Sequence, residues 1–274
     1  MKTSFLNLIL AILTISLLAS CEDVIDIDLK QGKTLLVVDG QITTLNRPDT
    51  IRLTLTAPYF ENKPAPTVVD ALVTIADSEG KSETLKPVGN GKYVINMRGK
   101  IGNSYTLTIK HNGEEYEAVT KINRITDIDS LVTRFEKPTP SMEEGYYAYL
   151  FVPEPAGVGD YYRFKVYKND TLANQPEDLT VAYDKLVDGN RIDNLRLNDK
   201  PYKKNDKIKV EILAITEDHF QFYVELEAQI NNGGMNARPP ANVRTNIFNK
   251  NPKGSRAVGY FGGMSVSSAT IIVK

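Results

Sequence analysis

Thr50-Ile51-Arg52-Leu53-Thr54-Leu55-Thr56 decides the fold class. Ile51, Leu53 and Leu55 fall on one side of an extended chain, and Arg52, Thr54 and Thr56 on the other. That period of two suits a half-buried strand and not a helix. Outward from it the same alternation returns. Upstream, Leu35-Leu36-Val37-Val38 ends on the turn pair Asp39-Gly40. Downstream, Val69, Ala71, Val73 and Ile75 alternate with polar residues before a turn at Asp77-Ser78-Glu79-Gly80. Tyr93, Ile95 and Met97 share one face of a further strand, and Tyr105, Leu107 and Ile109 share one of the next. His111-Asn112-Gly113-Glu114 is a hairpin signal, because Asn-Gly tolerates the positive φ of a type I′ turn. Tyr116, Ala118 and Ile122 make the return strand. Strands at this spacing with no helical period between them predict an antiparallel sandwich over residues 34–125.

This sandwich looks like the immunoglobulin or prealbumin-like modules that secreted bacterial proteins use as spacers. A composition break follows it, from Arg124 through Asp127-Ile128-Asp129-Ser130 to Pro138, Pro140 and Gly145. The break places a second, β-rich domain at residues 126–274. Its expected strands are Tyr146–Phe151, Tyr161–Tyr167, Leu179–Tyr183, Arg191–Leu197, Ile208–Ile215 and Ala269–Val273. In the second of these, Tyr162, Phe164 and Val166 face one way and Arg163 and Lys165 the other. A single helix is expected at about 217–231. Thr216 is its N-cap, Glu217 and Asp218 suit its positive end, and Asn232-Gly233-Gly234 stops it. Asp218, Gln221, Glu225 and Gln229 make a narrow polar stripe, with apolar residues over the remainder. Such a helix packs into a core instead of lying on water or lipid. Gly259, Gly262 and Gly263 around Tyr260-Phe261 predict a bent strand or bulge. The fold class is thus mainly β: an N-terminal sandwich, then a β-rich domain carrying one packed helix.

The N-terminal end follows another grammar. Lys2 supplies a positive start, Phe5 to Leu18 is mostly apolar, and small residues lead into Cys21. That is the order of a secretory signal, and the run is shorter than the roughly 20 apolar residues a spanning helix needs. Leu18-Ala19-Ser20-Cys21 resembles the lipobox of bacterial lipoproteins, in which the cysteine is acylated and the cut falls before it. The resemblance implies a signal peptide at 1–20, a diacylglycerol carrying palmitate-type chains on Cys21, and an acidic tether over 21–33. One acyl chain binds a membrane marginally, whereas two or more anchor it. Cys21 is the sole cysteine, so once it is acylated no internal disulfide can form. Glu22 and Asp23 beside it resemble the export signal that sends Bacteroidota lipoproteins to the outer face of the outer membrane. A formal net charge of −1, one lower without Lys2, leaves no basic surplus for nucleic acid.

Further segments extend the likeness. Leu36-Val37-Val38-Asp39-Gly40-Gln41-Ile42-Thr43, Leu55-Thr56-Ala57-Pro58-Tyr59-Phe60 and Val258-Gly259-Tyr260-Phe261-Gly262 resemble uncharacterised Bacteroidota outer-membrane lipoproteins, a domain of unknown function. The group is often encoded beside TonB-dependent receptors. It implies a location and a TonB-dependent receptor as possible partner, and supplies no active site. The residues themselves offer little catalysis. His111 and His219 are the two histidines, and no Gly-x-Ser-x-Gly elbow, His-Glu-x-x-His pair or phosphate-cradling glycine loop occurs. Asp26 and Asp28 lack the glycine turn and distant Glu of a calcium loop. Neither a metal nor a cofactor is therefore expected. For binding, Tyr146, Tyr147, Tyr149, Tyr161 and Tyr162 cluster in sequence and are the candidate ligand or partner contacts; tyrosine also suits strands as core filler. The expected function is a non-enzymatic, lipid-anchored surface accessory to nutrient uptake. A structural or adhesive protein and a glycan-binding lipoprotein are the alternatives.

Overall fold

The computed structural model describes residues 33–58, 63–233 and 241–274. In chain order the strands begin with β1 (Leu36–Thr43), β2 (Asp49–Leu55), β3 (Leu72–Asp77), β4 (Ser82–Thr84), β5 (Lys86–Pro87) and β6 (Lys92–Ile95). A hairpin of β7 (Ser104–His111) and β8 (Glu114–Lys121) follows, turned by Asn112 and Gly113 at φ 49° and 77°. Both central residues at positive φ is the I′ geometry the Asn-Gly pair predicts. Next come β9 (Ser130–Glu136), β10 (Gly145–Pro153), β11 (Tyr161–Lys168), β12 (Thr171–Leu172), β13 (Thr180–Tyr183) and β14 (Arg191–Arg196). The chain then runs through β15 (Lys207–Ile215), α1 (Glu217–Ile230), β16 (Ile247–Asn249) and β17 (Ala257–Ile272).

These strands make three sheets. The large one has nine strands in the order β12-β11-β15-β17-β1-β2-β6-β5, with β13 also on β11. The middle sheet, β16-β8-β7-β3-β4, has five strands, and the small one, β14-β10-β9, has three. Alternation decides what each buries. Ile51, Leu53, Tyr93 and Ile95 of the large sheet meet Val73, Ile75, Tyr105, Leu107 and Ile109 of the middle one. That is a β-sandwich core. At the other end Tyr162, Phe164, Ile208, Val210 and Ile212 meet Leu131, Ala148, Leu150 and Val152 of the small sheet. The C-terminal end of β15 is apolar on both sides because α1 covers its other face there: Leu213, Ile215 and Met264 pack on Phe220 and Tyr223.

The chain has separate cores but one continuous sheet. Thr34–Lys274 form a single compact unit, and the large sheet runs across the division expected at 125/126. The cause is β17. Sequence patterning reads its two ends as a glycine bend and a short terminal strand, yet Ala257–Ile272 is one strand of 16 residues. Its first half pairs parallel with β1 (Leu36↔Ala257 to Thr43↔Met264) and its second half antiparallel with β15 (Ala214↔Ser265 to Lys207↔Ile272). Gly259 permits this: its φ is +93°, and a Cβ there would stand 2.0 Å from the Val38 carbonyl oxygen.

The helix starts where its signals place it, with Thr216 Oγ1 accepting the His219 amide at 3.2 Å. Its polar stripe is partly covered by the C-terminal segment. Arg244 bonds Glu225 and Asp218, each at 2.9 Å, and the Ala241 amide donates to Gln229 at 3.1 Å. The C-terminal segment thus docks along the stripe. Val224 and Ile230 are exposed, so α1 buries a narrower face than its composition implies. No described helix is long and apolar enough to cross a membrane. β9, which composition reads as linker, is an edge strand of the small sheet.

Candidate functional site

The face of the large sheet under α1 gathers most of the unusual polar chemistry. On β11, Tyr162, Phe164 and Val166 enter the core with the small sheet, so the alternate residues Tyr161, Arg163, Lys165 and Tyr167 face α1. His219, in the first turn of α1, is buried and stacked between Tyr223 and Tyr260, with ring centroids 4.6 and 4.3 Å away. Gly262 lies beneath it, where a Cβ would meet the imidazole at 2.3 Å. The His219 Nδ1 has no hydrogen-bond partner. Burial, with the charges of Arg163 and Lys165 behind it, pulls its pKa down to about 3, so the ring is neutral. The Arg163 guanidinium lies 4.4 Å from the Tyr223 ring centroid and donates to the Tyr223 hydroxyl. Its Nε is buried with no acceptor. The Tyr260 hydroxyl donates to Asp218 at 2.7 Å.

Lys165 stands opposite Glu211 in the β11–β15 register, but that carboxylate is engaged elsewhere. Lys209 Nζ lies 2.6 Å from its Oε1, and the Tyr167 hydroxyl donates to its Oε2 at 3.0 Å. Burial pushes Glu211 up, yet these partners hold it below the ordinary carboxylate range. Lys165 is left with no ion pair among the described residues. Burial, then the Arg163 charge, lowers its amine to about 8. Burial and Glu211 raise the Tyr167 hydroxyl to about 12.

A second cluster is acidic. Carboxylate oxygens of Glu154, Asp160 and Asp184 all lie within 4.8 Å of one another, and all three residues are buried. Each already has donors. Arg124 holds Asp160 at 2.7 and 3.1 Å, the Tyr162 hydroxyl donates to Glu154 at 2.8 Å, and the amides of Gly159 and Asp160 donate to Asp184 at 2.8 and 3.1 Å. Burial, aided by Asp160 and Asp184, raises the Glu154 pKa. These are the residues that could converge on a cation, but their donors make the cluster a clamp. It ties the β10–β11 loop, the turn after β13 and the strand-free segment at Arg124 together.

The candidate tyrosines are divided between sheets, because β10 belongs to the small sheet and β11 to the large one. Tyr147 is fully buried, its hydroxyl on the Glu143 carbonyl at 2.8 Å. Tyr162 is buried on Glu154. Tyr146 is half-buried, edge-on to Phe135 at 5.3 Å. Tyr149 bonds Glu136 at 2.9 Å beneath Arg134, whose guanidinium is 4.9 Å from its ring centroid. Tyr161 packs between Tyr183 and Phe220 at 6.5 and 5.2 Å. The structure brings no shared platform of five together. Cys21, Glu22 and Asp23 lie outside the described residues. Sequence reasoning missed the acidic clamp, whose members share no local motif. It also passed over Lys165, although its place on a polar strand face was readable.

The profile of the family described as Domain of unknown function (DUF4249) matches residues 22–270. No curated protein matches the sequence. Among solved structures, a two fibronectin type-III domain segment from chicken tenascin is similar at 14% identity, covering 67% of this chain and 92% of that one, with a TM-score of 0.21. At that score the fold description rests on the strand pairing above.

Proposed function

The chain belongs to the family described as Domain of unknown function (DUF4249), and from that premise we propose that it is a lipid-anchored surface protein that binds and presents without catalysing. It serves as a non-enzymatic accessory to nutrient uptake, held to the outer membrane at Cys21 with Glu22 and Asp23 directing surface exposure. Its partner is a TonB-dependent receptor, met by residues 126–274. The observation that carries this reading is the run ending in Leu18-Ala19-Ser20-Cys21, which precedes a β body with no other thiol. What supports the non-enzymatic part is how the described polar groups are used. The clustered carboxylates are committed to Arg124, Tyr162 and backbone amides, and His219 is sealed between two tyrosines.

A lipid tether confines the protein to two dimensions with its neighbours, so weak docking contacts suffice. One observation favours the glycan-binding alternative. Tyr149 and Phe151 lie on the outward side of β10 under Arg134, an aromatic–cation surface of the kind sugars stack on. The test is Cys21→Ala. Fractionation with a labelled fatty acid should show the variant released from membranes and unlabelled. A variant that stays membrane-bound and takes up label removes the anchor, and with it the reading.

A further inference from the structure

The large sheet carries more positive charge on its α1 side than the protein's overall balance suggests. Register places Lys92, Arg52, Asp39 and Tyr260 in one row across β6, β2, β1 and β17. Gln41 and Thr50 lie beside this row, lining a shallow cavity of about 270 Å³. The row ends at the foot of α1, where Tyr260 meets His219. Beyond it the same sheet face continues through Glu211 to Lys165 and Arg163. The segment after β1 borders the far side. The Thr44 amide donates to the Met264 carbonyl at 3.2 Å and the Val266 amide to Thr44 Oγ1 at 3.1 Å. The charges of Arg47 in this segment and of Asp39 both reach Lys165.

The charges on this floor do not cancel. Lys209 and Glu211 neutralise each other, whereas Arg163 and Lys165 have no carboxylate within ion-pair distance among the described residues. At the foot of α1 the two half-buried cations without an anionic partner are Arg163 and Lys165. Half-buried cations without anions are costly unless something compensates them. A buried guanidinium Nε without an acceptor is likewise a group that calls for explanation. Both facts point the same way. We propose that this floor is a binding site for a carboxylate-bearing ligand, gripped by Lys165 and the free edge of Arg163 at the foot of α1, with Arg47 at its mouth.

The donor set favours a carboxylate over phosphate. It consists of a guanidinium edge and an amine on a sheet face, a planar fork suited to a planar anion. A phosphate cradle is built from clustered backbone amides at a helix N-terminus, and here the first turn of α1 is capped by Thr216 and carries Glu217 and Asp218. Two unpaired cations, Arg163 and Lys165, match a dicarboxylate, whether a free small acid or acidic side chains of a peptide.

The experiment uses the full chain in detergent at low salt and is independent of the anchor. Calorimetric titration with succinate, its monoamide, an end-capped Glu-Glu dipeptide, inorganic phosphate and sulfate compares wild type with Lys165→Met. This variant keeps the stem and removes a half-buried charge, so its melting temperature should hold or rise. In parallel, an amine-reactive ester at pH 8 should label Lys165 ahead of the exposed lysines, because a larger share of its amine is unprotonated. Expected are succinate or dipeptide binding, at least tenfold weaker for the monoamide and for Lys165→Met, and protection of Lys165 from the ester. Whichever of succinate and dipeptide binds tighter identifies the source of the carboxylate. Binding of phosphate or sulfate in preference to both overturns the assigned chemistry. Equal binding by Lys165→Met, or neither binding nor protection by any of the probes, overturns the site.

Discussion

Lowering the pH should destabilise this protein through His219, and the size of the effect follows from its surroundings. The imidazole is pressed between Tyr223 and Tyr260, with Gly262 beneath and Phe222 beside it, and it faces the charges of Arg163 and Lys165. Its folded pKa is about 3, against an ordinary value of 6.5. A base whose folded pKa is depressed takes up a proton more readily when unfolded. Stability is therefore fully present above about pH 6.5, falls as the pH drops, and stops falling below about pH 3. At pH 5 the unfolded imidazole lies about 1.5 pH units under its pKa, a cost of about 2 kcal/mol at 1.36 kcal/mol per unit. Carried down to pH 3 it approaches about 5 kcal/mol. The perturbation that isolates this is His219→Phe, which keeps a ring in the stack and removes the titration. Urea unfolding at pH 7, 6 and 5 gives the stability of each form. Contributions common to both proteins cancel in the difference. From pH 7 to pH 5 wild type should lose about 2 kcal/mol more than the variant. An equal loss in both would refute the placement of a neutral, sealed imidazole.

The remaining predictions concern the elements that join the large sheet and its helix. Gly259→Ala, at φ +93° and 2.0 Å from the Val38 oxygen, should cost about 3 kcal/mol or more by differential scanning calorimetry. Gly102→Ala, with φ +91° but nothing within 4 Å, should cost only about 1 kcal/mol; equal costs would mean that β1 and β17 do not approach as described. Arg244→Ala should cost about 1 kcal/mol or less, because its pairs with Glu225 and Asp218 are partly exposed. It should speed amide exchange along α1 between Asp218 and Glu225, and unchanged exchange would dissociate that segment from the helix.

Local pattern carried the strands and the helix, and failed where the answer depends on what lies opposite. Ile51, Leu53 and Leu55 alternate within a few residues of each other, and they are core or packed against it. Thr216 caps the residue three positions on, a relation visible in the chain itself. Tyr149 and Tyr161 look equivalent in sequence, yet one faces Arg134 on the small sheet and the other Phe220 under α1. Nothing near either residue says which sheet it joins. That Asp218 and Glu225 of the polar stripe bond Arg244 is not visible in the helix itself, because Arg244 comes after it has ended. Glu154, Asp160 and Asp184 meet only once β10, β11 and β13 have folded, so no spacing rule finds them. Arg163 and Lys165 were legible as a polar strand face; that Glu211 would turn away toward Lys209 and Tyr167 was not.

The route of the large sheet gives these parts a mechanical relation. All eight residues of β1 pair with β17, and β2 holds its other edge. Tension applied from the N-terminal side loads those hydrogen bonds along the strand axis, so they resist together instead of opening one at a time. From β1 the load passes through β17 to β15 and then β11 by direct pairing, with no flexible joint between. The cores on either side of the sheet differ, yet neither can shift without breaking the strand they share. Lys165 and Arg163 on β11 are thereby held at a fixed place relative to the start of β1. Arg163 and Lys165 therefore keep one orientation relative to β1, which a hinged pair of domains would not supply.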